Sequence, residues 1–114
     1  MSTEIKPVIT LEDVYKLDIR VGRITNVDAI PKTKKMLKLT VEFGEGIGTK
    51  TVVSGIGDHF GADDLIGTYL PFVMNLEPRE IRGIVSEAMI VMAENSGGNL
   101  RFLEANCKEG SVVF

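Results

Sequence analysis

Cysteine and histidine each occur once in the 114-residue chain, and tryptophan is absent. Cys107 therefore has no partner for an intrachain disulfide, which fits a reducing compartment. One cysteine and one histidine cannot supply the usual four-ligand zinc set, so no metal is expected. No spacing pairs the Cys107 thiol with the His59 imidazole as nucleophile and base; His59 lies in a glycine-flanked loop and reads as a turn residue. No apolar run approaches the roughly 20 residues that span a bilayer. The opening MSTEIKPVIT lacks the apolar region of a signal peptide. These absences make a cytoplasmic protein the expectation, and the initial Met1 suggests a free-standing one, although a domain detached from a longer protein would look the same. With no nucleophile, base or metal set in view, neither a catalytic residue nor a cofactor is expected.

Aromatic residues are scarce too: five phenylalanines and two tyrosines make up 6% of the chain. A protein that stacks single-stranded bases would be expected to expose more of them. Recognition of folded RNA by shape and backbone contacts suits this composition better. A cationic excess is also missing, since 13 Lys and Arg face 16 Asp and Glu, for a net charge of −3. That sum argues mildly against binding phosphates, but the distribution matters more. Lys32, Lys34, Lys35 and Lys38 crowd one segment, and Arg20, Arg23, Arg79 and Arg82 join the basic set. The acids gather elsewhere, at Glu42, Glu45, Asp58, Asp63 and Asp64. From charge alone, a segregated binding surface and a set of solvated strand faces remain equally open. Asp63 and Asp64 read as acids at a helix start. GEGIG reads as a hairpin, because no Lys-Ser/Thr follows and no helix opens after it.

What is present is an ordinary globular composition, 44% hydrophobic and 25% charged, long enough to bury a core unaided. One domain over 1–114 is expected: an arm and helix start over 1–12, a barrel over 13–110 and a tail over 111–114. Thr10 before LEDVYKL predicts a short capped helix, with Leu11, Val14 and Tyr15 on one face. In DIRVGRITNVD the alternation slips phase after Gly22, which predicts a bulge or tight bend. LKLTVEF is the clearest strand, with Leu37, Leu39, Val41 and Phe43 on one side and Lys38, Thr40 and Glu42 on the other. TKTVVSGI is its return strand. A helical turn is expected over Ala62–Leu65. TYLPFVM is a strand whose Pro71 implies an edge or a bulge. IVSEAMIVMAE and LRFLEA are further strands around the turn NSGGN. Short strands, glycine punctuation and little helix predict a small all-β barrel or sandwich.

At DIRVGRI, KLTVEFGEG, TVVSGI and NLEPREIRGIVSEAM, in that order, the chain resembles the OB-fold tRNA-binding domain family. That family includes the C-terminal domain of bacterial methionyl-tRNA synthetase, CsaA-type proteins and free-standing structure-specific tRNA-binding proteins. The resemblance covers roughly residues 13–110. It implies an all-β, five-stranded OB-fold Greek-key barrel with short helical turns and N- and C-terminal extensions. It implies a non-catalytic module that binds folded tRNA through a basic barrel face, forms a homodimer and assists methionyl-tRNA synthetase as an aminoacyl-tRNA synthetase partner. The CsaA branch implies the alternative of a protein-export chaperone that binds unfolded polypeptide. Carried over by position, the tRNA-binding residues are Lys34, Lys35 and Lys38, then Asn75, Arg79 and Arg82, then Ser86 and Met89. The chain departs from the family in having Ala88 where Ser-Gln/Glu-Gly-Met is usual. It also reads Ile30-Pro31-Lys32-Thr33-Lys34-Lys35-Met36 where the family has His-Pro-x-Ala-Asp-Lys-Leu, which makes that loop more basic.

Overall fold

Alternating side chains decide which strands carry the core. The computed structural model describes residues 3–114. Helix α1 (Leu11–Tyr15) leads into the long strand β1 (Ile19–Ala29), followed by β2 (Leu37–Glu42) and β3 (Thr49–Ser54). The short helix α2 (Ala62–Leu65) precedes β4 (Tyr69–Val73). Six short strands follow: β5 (Arg79–Ile81), β6 (Ile84–Ser86), β7 (Met89–Ile90), β8 (Ala93–Glu94), β9 (Leu100–Arg101) and β10 (Val112–Val113). The main sheet runs in the order β3-β2-β1-β4-β7, with β10 also on β1. Leu37, Leu39, Val41 and Phe43 are all buried, as the alternation predicts. Phe43 meets Phe72 edge to face, with ring centroids 5.4 Å apart. That geometry is the favoured one for aromatic pairs and fixes the centre of the core.

The phase slip in β1 is a bulge. Against β2 the register passes from Ile24↔Val41 to Asn26↔Thr40, and the Thr25 hydroxyl donates to the Thr40 carbonyl at 3.2 Å. Gly22 is needed for space: a Cβ there would lie 2.5 Å from Val41 Cγ1 and 2.6 Å from the Phe43 ring. Bulge and close approach together curl the sheet into a half-barrel. Beyond the end of β2, the outer side of β1 is taken by β10, through Ile19↔Val113 and Arg20↔Val112.

The open side of the curl is closed by side chains. The Val53 N–H donates to the Ser86 hydroxyl at 2.9 Å, and the Thr51 N–H donates to the Glu87 carboxylate at 2.8 Å. One backbone bond, Glu87 N–H to the Thr51 carbonyl at 2.8 Å, completes the seam. Ser86 and Glu87 thus supply the acceptors that a neighbouring strand would have offered β3.

The strand count is the main departure from expectation. The sheet has six strands rather than five, and two separate hairpins, β5-β6 and β8-β9, stand off it. The run IVSEAMIVMAE, expected as one strand, is divided among β6, β7 and β8. It breaks where Ser86 and Glu87 turn to the seam. Pro71 is also placed differently, for β4 lies between β1 and β7 rather than at an edge. Pro71 is tolerated because it sits on the last rung beside β7, where Val91 N–H donates to the Pro71 carbonyl at 2.9 Å and the return bond is the one proline cannot make. Elsewhere expectation and structure agree. α2 covers Ala62–Leu65 and buries Leu65. The Thr10 hydroxyl caps α1 by accepting from Asp13 N–H at 3.2 Å, and the Asp13 carboxylate accepts from Thr10 N–H. No helix among the described residues is long and apolar enough to cross a membrane.

Candidate nucleic-acid interface

A basic cleft opens where the Ile30–Met36 loop meets the β5-β6 hairpin. The loop is pinned at its base by Ile30 N–H to the Met36 carbonyl at 3.1 Å and by the Thr33 hydroxyl to the Ile30 carbonyl at 2.7 Å. Gly57 N–H donates to the Lys35 carbonyl at 2.7 Å, holding the loop against the chain that leaves β3. The hairpin pairs Ile81 with Ile84, so Arg82 and Gly83 form a two-residue tip. The cleft holds about 550 Å³ and is lined by Lys32, Lys34, Lys35, Asp58, Ile81 and Arg82, among others.

The backbone at this cleft is strained. Lys32 at φ 65° and Arg82 at φ 54° are the non-glycine residues with positive φ among the described residues. Arg82 is followed by Gly83 at φ 82°, the pattern of a type I′ hairpin turn. Asn or Gly normally takes the first place in such a turn. Left-handed backbone costs an ordinary residue about 1–2 kcal/mol. Both strained residues are cations, and both line the same cleft. Persistent strain of this kind gathers at functional sites. Among the described residues, none of Lys32, Lys34, Lys35, Arg79 and Arg82 is ion-paired, whereas Lys16 pairs with Asp13 and Arg20 with Asp18.

Not every residue expected at the interface stands in this cleft. Lys34, Lys35 and Arg82 come together there. Arg79, Ser86 and Met89 line a second, smaller pocket on the other flank of the hairpin. Lys38 points from β2 and lies opposite Asp28 in β1. Asn75 is engaged within the chain: its amide donates to the Lys16 carbonyl at 2.6 Å, and its carbonyl oxygen accepts from Asp18 N–H at 2.9 Å. The Ser86 hydroxyl is occupied too, accepting from Val53 N–H and donating to the Ala88 carbonyl at 3.2 Å. Ala88 is buried and is not among the residues with positive φ, so the position needs none of the backbone freedom of the glycine that the family resemblance implies there. Lys32 was visible in the sequence as part of the basic run, but only its backbone conformation and position on the cleft wall mark it out. The β5-β6 hairpin has little signature in the sequence, because Arg-Gly is a weak turn signal beside Asn-Gly.

A curled half-barrel with a cationic cleft beside its loops is an architecture suited to binding nucleic acid. The family model described as "Putative tRNA binding domain" matches residues 19–111, and the chain belongs to that tRNA-binding domain family. A methionine–tRNA ligase of Cytophaga hutchinsonii is 45% identical over 98% of this chain, which spans 17% of that relative. Among solved structures, a MetRS-related protein from Pyrococcus horikoshii is similar at 29% identity with a TM-score of 0.88, covering 96% of this chain and 100% of that one. A CsaA chaperone protein from Picrophilus torridus is similar at 30% identity with a TM-score of 0.85, covering 94% and 100%. The chain is thus a tRNA-binding domain related to a region of methionine–tRNA ligases and to CsaA.

Proposed function

We propose that the chain is a non-catalytic module that binds folded tRNA through the cleft between the Ile30–Met36 loop and the β5-β6 hairpin. The observation that carries this reading is the pair of strained cations, Lys32 and Arg82, facing one cleft with Lys34 and Lys35. Side chains without internal partners are ready to neutralise phosphates, and a rigid loop and hairpin fix their spacing to the shape of a folded RNA. Arg79 extends the basic edge along the hairpin, and Lys38 extends it along β2. Asn75 acts as a brace for this surface and Ser86 as its seam.

The same reading makes the module a homodimer. Val8, Leu11, Val14 and Tyr15 are exposed on one terminal segment and Val112, Val113 and Phe114 on the other; a two-fold axis would cover both. Two cationic sites on one particle would then engage one tRNA with a gain in effective concentration. A methionine–tRNA ligase, as the partner or as the longer chain around this domain, fits the relatives in which the sequence recurs. Cytoplasmic residence follows from such a partner. A second reading, chaperone-like binding of unfolded polypeptide, is favoured by the similarity to CsaA chaperone proteins.

Titration with bulk tRNA at two salt concentrations separates them. A phosphate-binding cleft gives an affinity that falls steeply with salt, by a log–log slope of about 0.7–0.9 per neutralised phosphate. Replacing Arg79 and Arg82 with alanine lowers that slope. Salt-independent suppression of aggregation without tRNA binding would establish the chaperone reading instead.

A further inference from the structure

The β5-β6 hairpin has two working flanks, and the second is apolar. On that side lies a small cavity of about 120 Å³. Its floor is the buried set Val53, Ser86 and Ala88, and its walls include Leu76, Ile81 and Met89. Leu76 and Met89 remain 45% and 47% exposed, so apolar walls stand open to water. Arg79 and Glu77 lie among the lining residues. Ile81 also lines the basic cleft, so the two recesses share a lining residue.

We infer that this cavity receives one unstacked, pyrimidine-sized nucleobase of the tRNA whose backbone lies in the basic cleft. The proposal rests on the tRNA-binding reading and adds a base-contacting subsite to it. Size limits the occupant: with about 30 Å³ per water in the liquid, the cavity holds roughly four waters' worth of matter. That suits a single ring and is too small for a drug-sized ligand. Charge selects the kind of ring. An apolar peptide side chain would fill the cavity but leave the cations beyond Ile81 without a counter-charge. A nucleotide brings an apolar ring face and a phosphate on one short unit. Met89 suits a ring at the mouth, since a thioether sulfur makes favourable contacts with aromatic edges. The Glu77 carboxylate is an acceptor for a base amino group. Ala88 sets the depth: it is buried and its methyl group stands in the floor.

The test uses the full chain and tRNAs in which single unpaired pyrimidines are replaced by abasic nucleotides, so that every phosphate is kept. At one position the affinity should fall about tenfold, equivalent to about 1.4 kcal/mol. That loss should vanish when Ala88→Val fills the floor. Met89→Ala at the exposed mouth provides the same cycle if the floor variant does not fold. The proposal is overturned if every abasic tRNA binds as tightly as the unmodified one while the salt slope persists; the tRNA-binding reading then stands alone. It is also overturned if an apolar tetrapeptide shifts the Met89 methyl resonance and cytidine 5′-monophosphate does not, since the cavity then takes polypeptide. Absence of salt-sensitive tRNA binding in the unmodified protein overturns both.

Discussion

The cleft and the terminal flank are built from opposite materials. At the cleft, Lys32, Lys34, Lys35 and Arg82 face one recess without ion pairs among the described residues. At the flank, Val8 is 98% exposed and Phe114 fully so, while the cations Lys16 and Arg20 are tied to Asp13 and Asp18. The chain therefore leaves cations unsatisfied in one place and apolar groups unsatisfied in the other. Each pattern calls for a different partner: a polyanion whose binding is salt-sensitive, and an apolar surface whose burial is not. The segregation also explains how a net charge of −3 is compatible with the proposed phosphate-binding face, since local field rather than total charge steers an anion.

The comparison breaks most visibly at the cleft. Replacing Lys34, Lys35 and Arg82 together with alanine should reduce the salt slope of tRNA binding by about 2–3, or about 0.7–0.9 for each phosphate left without its cation. Circular dichroism should show an unchanged fold. At the flank, if the copies pair there as proposed, Val8→Asp with Val112→Asp should leave single-chain mass in light scattering where the unaltered protein gives twice that, at low and high salt alike. A salt-dependent change in mass would mean that charge, not apolar burial, holds the copies together.

Between the two regions lies the seam. Ser86→Ala leaves the buried Val53 N–H without its acceptor, which should cost about 1–3 kcal/mol in chemical denaturation. Ser86→Thr keeps the hydroxyl and should recover part of this if the extra methyl is accommodated. A Ser86→Ala protein that is fully stable yet fails to bind tRNA would return Ser86 to the interface. The smallest effect concerns pH. The Thr49 hydroxyl, and after it the Gly44 N–H, hold the Glu42 carboxyl below its ordinary value of 4.5. A depressed folded value stabilises the protein above the unfolded value, and that contribution is lost as pH falls through the folded one. Glu42→Gln should therefore flatten the loss of stability below about pH 4.5, leaving tRNA binding at neutral pH untouched.

Much of the frame was legible because it depends on local pattern. The alternation in LKLTVEF, the Thr10 cap and the phase slip after Gly22 each state their own structure, and each is found. What escaped depends on partners distant in sequence. Only the family resemblance puts Ser86 and Asn75 at the interface, and nothing local to either residue announces the internal bond it makes. Their partners, Val53, Lys16 and Asp18, lie 33, 59 and 57 residues away. The strain at Arg82 was equally hidden, because nothing in Arg-Gly announces a positive φ at the arginine. Pro71 misled for a related reason: its tolerance depends on which side of β4 the neighbouring strand ends.

The strain is also the most direct handle on the central claim that the cleft keeps cations at a structural cost because they bind tRNA. Arg82→Asn places in the turn a residue suited to positive φ and removes one cation. The account predicts a higher thermal midpoint together with a salt slope for tRNA binding lower by about 1. An Arg82→Asn protein that folds and binds tRNA with the original slope would contradict it.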